Sequence, residues 1–328
     1  MTTIEQQRTS VPASAVEQRD RSYALQVEHV TKRYGRNVVV DDLTFTVQPG
    51  RVTGFLGPNG SGKSTTMKIL LDLAAADHGH ASIGGVRYRD LSDPARTVGV
   101  VLEPNAFHPG RSARKHLEIL ADTAGIPTSR VREVLELVGL HDTADRRVGA
   151  FSLGMKQRLS LAGALLGDPP VLVLDEPGNG LDPQGIRALR ELLRSRAKDG
   201  HTVFLSSHLL AEVEHLADDL IVLNQGRLVT NGPLQQLQAA ATRVRSATPD
   251  RLSDALRAAG ALVEPREGDL LIVRGVRADT IGDVALKAGV ALRELVADTS
   301  SLEDLFLGWT GRGSSMTDHT TTSKESAS

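Results

Sequence analysis

Residues 57–65 read Gly57-Pro58-Asn59-Gly60-Ser61-Gly62-Lys63-Ser64-Thr65. The spacing fits G-x-x-x-x-G-K-[ST], a pattern whose glycines let a loop wrap closely around phosphate groups. Ahead of it, Val52-Thr53-Gly54-Phe55-Leu56 reads as a short buried strand. Behind it, Thr66-Met67-Lys68-Ile69-Leu70-Leu71 reads as the start of a helix. The pattern needs that setting, because backbone N–H groups and the helix dipole must face the anion together. All nine residues are therefore candidate nucleotide ligands. Lys63 is placed to reach the β- and γ-phosphates, and the Ser64 hydroxyl to bind Mg²⁺.

Composition sets the outer bounds. The chain has 328 residues, enough for one large domain or two smaller ones. Hydrophobic residues make up 40% and charged residues 24%, as in ordinary soluble globular proteins. A formal net charge of −2 gives no general attraction to nucleic acid, and none is expected as a partner. With no cysteine, disulfides, thiolate metal sites and thiol catalysis are excluded. No apolar run approaches the roughly 18 residues of a membrane helix. Residues 1–22 are polar and lack the apolar core of a secretory signal. A cytoplasmic chain is expected, with any membrane spanning left to another protein.

Outward from the loop, the pattern is α/β. Residues 1–22 and 311–328 read as disordered extensions, the second rich in Ser and Thr. An alternating strand is expected at 24–30, with further strands at 38–40 and 43–47, forming a β part ahead of the phosphate-loop strand. Residues 111–167 carry helical spacing, in His116-Leu117-Glu118-Ile119-Leu120-Ala121 and again in residues 131–138. Wholly apolar runs at 171–174 and 220–223, with another strand at 202–205, suit a sheet buried on both faces. Helices at 187–198 and 209–217 complete βαβ units. Beyond residue 240, the order strand, helix, hairpin, helix, strand suggests a small ferredoxin-like unit with a turn at Glu267-Gly268-Asp269. The domains expected are 23–235, with a helical part near 104–167, and 240–310.

Val171-Leu172-Val173-Leu174-Asp175-Glu176-Pro177 ends an apolar strand on two acids. Ligands bind at the C-terminal ends of such strands. Asp175 suits the Mg²⁺ shell, and Glu176 suits a base that orients or deprotonates an attacking water. Ser152, in Phe151-Ser152-Leu153-Gly154-Met155-Lys156-Gln157-Arg158, precedes a helical pattern, where Ser is a good N-cap and Gly154 allows close backbone approach. That helix start is a second anion site in the same chain.

In motif content and order, residues 25–230 resemble the nucleotide-binding subunits of ATP-binding-cassette (ABC) transporters. The resemblance implies a P-loop cassette with a mostly parallel sheet core, an N-terminal antiparallel β part and a helical subdomain, followed by the C-terminal appendage. It makes residues 151–158 the family signature, with Ser152 and Gly154 facing the γ-phosphate of an ATP held by another protomer. It makes Tyr34, in Lys32-Arg33-Tyr34-Gly35, the aromatic that stacks on adenine. Asp182, in Gly180-Leu181-Asp182-Pro183, falls in the loop after the catalytic acid. His208, in Ser206-Ser207-His208, falls where the family places its γ-phosphate switch. The implied catalytic set is Glu176, His208 and Lys63, and the implied cofactors are ATP and Mg²⁺. The implied assembly is a homodimer with two ATP molecules at its interface, bound to a separate permease at the inner face of the membrane.

The chain departs from the family pattern in two places. The signature has Phe151, Leu153 and Met155 where the family has Leu, Gly and Gln. This looser form resembles the branch that exports drugs and peptide antibiotics. Glu103, in Val98-Gly99-Val100-Val101-Leu102-Glu103-Pro104, stands where the family usually has Gln; Glu still ligates Mg²⁺ but adds a charge. The ending Ser301-Leu302-Glu303-Asp304-Leu305-Phe306-Leu307 resembles that of ATPase subunits from daunorubicin-type and bacitracin-resistance-type exporters. Read from its residues alone, it is an amphipathic helix opened by Ser. The expected function is ATP hydrolysis that drives a bacterial exporter of drug, antibiotic or lipid-like cargo. An importer ATPase and a non-transport ABC ATPase remain the alternatives. A single set of motifs argues against two-cassette ribosomal proteins, and the absence of sustained heptads in 65–151 against chromosome-maintenance ATPases. The appendage is expected to dock or brace a dimer and to take no part in the chemistry.

Overall fold

The computed structural model describes residues 23–102, 107–208, 210–237, 241–266, 268–298 and 302–311. The expectations for residues 1–22, Glu103, the turn residue Glu267 and residues 312–328 lie outside these. The described residues fall into two units. One is built from the stretch up to Thr53 and from Gly62 to Ser206, the other from Gly54 to Ser61 and from Ser207 onward.

In the first unit, β1 (Leu25–Tyr34) pairs antiparallel with β2 (Asn37–Val47) and with β4 (His78–Ile83), in the order β2-β1-β4. The sequence reading divides β2 into two strands, but the structure has one. Val40 is buried, and so are Leu43, Phe45 and Val47, which lie on the other parity. An irregularity between them restores the inward face: Asp42 takes a φ of 49° and the register shifts beside it. An extra residue of this kind re-aims a strand without ending it.

β3 (Val52–Leu56) is buried throughout and leads into the phosphate loop, after which α1 (Lys63–Leu70) begins. Three short strands, β5 (Val98–Val101), β6 (Val171–Leu174) and β7 (Thr202–Ser206), run parallel with Val98 opposite Val171 and Val171 opposite Thr202. Their residues are nearly all buried, as helices covering both faces of a parallel sheet require. Parallel register places the ends of β6 and β7 side by side, and the acidic pair and Ser206 sit there. Between β5 and β6 lie α2 (Ala113–Thr123), α3 (Ser129–Leu137) and α4 (Leu153–Leu165), joined through buried Leu117, Val134, Leu135 and Leu159. The helix α5 (Pro183–Lys198) connects β6 to β7.

In the second unit, α6 (Leu210–Leu216) precedes an antiparallel hairpin of β8 (Asp219–Asn224) and β9 (Arg227–Pro233). Next comes a four-stranded antiparallel sheet of β10 (Ala241–Ser246), β11 (Leu262–Pro265), β12 (Leu270–Arg274) and β13 (Leu292–Asp298), in the order β11-β12-β10-β13. With α7 (Pro249–Ala258) and α8 (Ala278–Lys287), this is the β-α-β-β-α-β ferredoxin-like arrangement. Val244, Leu252, Leu256, Val273 and Ile281 form its own buried core.

The last helix, α9 (Leu302–Thr310), is not part of that core. Leu302 is fully buried in a different cluster with Leu56, Val213, Leu220 and Val222, and Phe306 and Trp309 pack against it. The sequence reading groups this helix with residues 240–310. Its apolar face is instead seated against the strand that feeds the phosphate loop.

Candidate nucleotide site

The phosphate loop is shaped by its glycines. Gly60 and Gly62 have φ values of 80° and 103°, a region that costs any residue with a Cβ. At Gly57 a Cβ would lie 2.4 Å from Ser61 Oγ and 2.6 Å from the Leu223 carbonyl oxygen, so only glycine fits. The Ser61 N–H donates to the Pro58 carbonyl at 3.1 Å, which closes the turn. Ser61 Oγ is buried with no hydrogen-bond partner among the described residues, while Gly60 faces open space. A buried hydroxyl without a partner is costly, and a phosphate oxygen would satisfy it.

α1 opens directly on Lys63, which is only 7% exposed. Burial pushes its ammonium below the usual lysine range, while the carboxylates of Glu176 and Asp175 act in the opposite direction. A partly desolvated ammonium held near two acids is ready to exchange that company for phosphate. Thr66 anchors the turn, its Oγ1 donating to the Gly62 carbonyl at 2.9 Å. Ser64 is exposed and Thr65 half-buried.

The acidic pair hangs on the ends of β6 and β7. Asp175 N–H donates to the Val101 carbonyl, and Asp175 Oδ1 accepts from Ser206 Oγ at 2.5 Å. The same Ser206 Oγ accepts from the Glu176 N–H at 2.9 Å. Glu176 has a φ of 50°, unusual for a residue with a side chain. From α4, Gln157 Nε2 donates to the carbonyls of Glu176 at 3.3 Å and Pro177 at 3.0 Å. The sequence reading missed the parts played by Ser206 and Gln157, although both stand inside motifs it quotes. A polar residue closing a buried strand, and a Gln aligned at i and i+4 with buried Leu161, were the available signals.

The second helix start is also formed. Ser152 is extended and its Oγ accepts from the Met155 N–H at 3.2 Å, capping α4. A Cβ on Gly154 would lie 2.6 Å from the Gly180 carbonyl oxygen, so the helix start and the loop after the acidic pair meet backbone to backbone. Asp182 Oδ1 accepts from the Gly185 N–H at 2.9 Å and caps α5. Tyr34, at the end of β1, is 53% exposed, with Lys32 Nζ 5.2 Å from its ring centroid. His208 is exposed, two residues beyond Ser206. The structure thus gathers Lys63, Asp175 and Glu176 at one place, and Ser152 and Gly154 against the Gly180–Asp182 loop at another.

For Mg²⁺, the donor chemistry fits. Ser64 and Asp175 offer a hydroxyl and a carboxylate, the hard oxygen donors this ion takes when it arrives with substrate phosphates. Among the described residues no group of three or more His, Cys, Asp or Glu could hold a metal.

A strand, a glycine loop and a helix that opens on a buried lysine, set beside acids at a strand end, define a P-loop nucleotide-hydrolysing protein. The family model described as ABC transporter matches residues 40–179, and one described only as a domain of unknown function matches residues 240–303. Bacitracin transport ATP-binding protein BcrA of Bacillus licheniformis is 41% identical over 66% of this chain and 72% of its own length. Nod factor export ATP-binding protein I of Burkholderia pseudomallei (strain 1710b) is 38% identical over 87% of this chain and 96% of its own length. The solved structure described as an ATP-binding subunit of an ABC transporter superposes with a TM-score of 0.60 at 26% identity, covering 81% of this chain and 99% of that one. The chain belongs to the ABC transporter ATP-binding proteins, and it is an ATP-binding ATPase of that type. Among the described residues no helix is long and apolar enough to cross a membrane.

Proposed function

We propose that this chain is the ATP-hydrolysing subunit of a bacterial exporter, acting as a homodimer that drives a separately encoded membrane permease. The observation that carries the reading is the presence in one chain of two glycine-bearing helix starts of the kind that receive anions, at Gly62–Lys63 and at Ser152–Gly154. At the first, Lys63 feels the carboxylates of Glu176 and Asp175. A second copy supplies the obvious use for the other. The similarity to the Nod factor exporter subunit, which runs through the appendage, favours export and a drug, antibiotic or lipid-like cargo. The chain then sits on the cytoplasmic face of the membrane through its permease. The ferredoxin-like appendage docks or braces that assembly.

In this reading, the loop N–H groups of residues 57–65 and Lys63 hold the β- and γ-phosphates, and Tyr34 stacks on adenine. Mg²⁺, when bound, neutralises charge between the phosphates; Ser64 and Asp175 would hold it, with Glu103 a further ligand. Glu176 orients the attacking water and accepts its proton. His208 contacts the γ-phosphate, and Asp182 lies in the adjoining loop. Ser152 and Gly154 grip the γ-phosphate of the ATP held by the partner copy. ADP offers no such grip, so the closed dimer gains free energy from ATP alone and relaxes after hydrolysis.

Complementation tests the shared site. A Lys63→Ala chain mixed with a Ser152→Arg chain should regain one intact composite site per heterodimer. ATP-dependent dimerisation and turnover should then exceed those of either variant alone. A mixture that never exceeds the separate variants would refute the shared geometry.

A further inference from the structure

Glu176 stands in a left-handed backbone conformation, with φ 50°. For a residue with a Cβ this is about 1–2 kcal/mol less favourable than the right-handed form, and it persists only where the surroundings impose it. Here both sides of the residue are pinned. Its N–H donates to Ser206 Oγ at 2.9 Å, and its carbonyl accepts from Gln157 Nε2 at 3.3 Å. The next residue, a proline, has no N–H to help hold the turn, and its carbonyl accepts from the same Nε2 at 3.0 Å. Gln157 is 2% exposed, so water does not compete for these bonds. Its Oε1 is buried with no partner among the described residues. A buried amide with an unsatisfied oxygen is an expensive way to fill space, and an apolar residue of the same length would pack there without that penalty. The cost is understandable if the two donors matter.

We propose that Gln157 is a positioning residue for hydrolysis: by holding the Glu176 and Pro177 carbonyls, it keeps Glu176 in the backbone conformation that aims its carboxylate. Gln157 lies on α4, the helix whose first turn carries Ser152 and Gly154. The helix therefore grips the loop after β6 in two places, through Gln157 at residues 176–177 and through Gly154 at Gly180. Any shift of α4 when its N-terminus meets a phosphate is passed directly to the Glu176 backbone of the same chain. The proposal rests on the reading of Glu176 as the residue that activates water.

The test uses the full chain and steady-state ATP hydrolysis. Gln157→Met keeps shape and removes both donors. It should lower kcat roughly tenfold, the value of one or two neutral hydrogen bonds, with KM for ATP unchanged. In Gln157→Glu, only the protonated side chain can donate, and its single O–H can restore one of the two bonds. Burial raises the pKa of such a carboxyl. The ratio of its kcat to that of the wild type should therefore climb as pH is lowered from 8 toward 6. KM for ATP should stay constant over that range, whereas a merely structural disturbance by the buried charge would raise KM at pH 8 as well. On a Glu176→Gln background, adding Gln157→Met should leave ATP affinity where Glu176→Gln alone puts it. Wild-type kcat in Gln157→Met, a flat pH ratio in Gln157→Glu, or lost ATP affinity on the Glu176→Gln background each overturns the proposal. Should Met at 157 prevent folding, the pH ratio of Gln157→Glu decides alone. Substantial turnover in Glu176→Gln itself is a different failure, that of the reading beneath.

Discussion

Two glycines on α4 make opposite predictions from the same substitution. In an open helical position Gly→Ala stabilises by up to ~1 kcal/mol, because alanine loses less backbone freedom on folding. At Gly163 the added Cβ would meet Leu120 Cδ1 at 3.5 Å and Leu117 Cδ2 at 3.9 Å, ordinary contact distances. Gly163→Ala should therefore stabilise by ~0.5–1 kcal/mol. At Gly154 the Cβ would lie 2.6 Å from the Gly180 carbonyl oxygen, which is backbone and cannot swing aside. The loop must retreat by about 0.8 Å to restore an ordinary 3.4 Å contact. Overpacking of this kind costs ~1–3 kcal/mol and outweighs the helical gain, for a net loss of ~1–2 kcal/mol. Urea unfolding with m near 1–3 kcal/mol/M separates the two variants by about 1 M in midpoint. Turnover adds a second readout. The displaced loop runs from Glu176 to Asp182, and misplacement near 1 Å costs up to ~10²-fold in rate, so Gly154→Ala should lose ~10- to 100-fold in kcat and Gly163→Ala almost nothing. If Gly154→Ala is as stable as Gly163→Ala and hydrolyses ATP at the wild-type rate, the close approach of α4 to Gly180 is wrong.

Glu176→Gln should keep ATP affinity, lose at least ~10²-fold in turnover and accumulate an ATP-bound dimer on gel filtration; turnover within about threefold of wild type excludes a general base. Ser206→Ala removes the hydroxyl shared by Asp175 and Glu176, and should cost ~2–3 kcal/mol in urea unfolding, since one partner is a carboxylate; a change under ~0.5 kcal/mol would show the bridge to be unimportant. Burial holds the folded-state pKa of Lys63 below its unfolded value, so the unfolded chain binds more protons as pH rises through that window, and stability should rise with it. Lys63→Met should thus stabilise the nucleotide-free protein at pH 7 and lose that advantage by about pH 10, the ordinary lysine value; a pH-independent difference contradicts the assignment. Leu302→Ala, at a fully buried site, should cost ~2–5 kcal/mol and weaken ATP binding as well, measured by fluorescence titration; unchanged affinity would separate α9 from the phosphate-loop strand.

The parts legible in sequence were those written in local chemistry. The run from Gly57 to Thr65 carries its own instruction, since glycine, lysine and hydroxyl spacing demand a strand before and a helix after. The apolar runs ending at Leu174 and Leu223, and the ferredoxin-like order beyond residue 240, were equally plain from periodicity. What escaped was set by contacts distant in the chain. The bulge at Asp42 merges two apparent strands because inward parity is restored by pairing with β1. Ser206 matters only because parallel register puts the end of β7 beside the end of β6. Gln157 looks like any polar helix residue until Glu176 is seen 19 positions away, in a conformation no propensity favours. The terminal helix announced its apolar face but not which surface would receive it.

That receiving surface has a temporal consequence. Leu56 and Leu302 share one buried cluster though nearly 250 residues lie between them. A ribosome adding ~5–20 residues per second needs roughly 12–50 s to make the second after the first. The strand feeding the phosphate loop therefore waits, one flank uncovered, while the helical part and the ferredoxin-like unit, each with shorter-range contacts, form earlier. The loop that follows Leu56 gains its full packing support only when α9 docks. Translation pauses late in the message, or a chaperone that shields apolar surface during that interval, would then govern how much ATP-competent protein is produced, without changing any residue of the site.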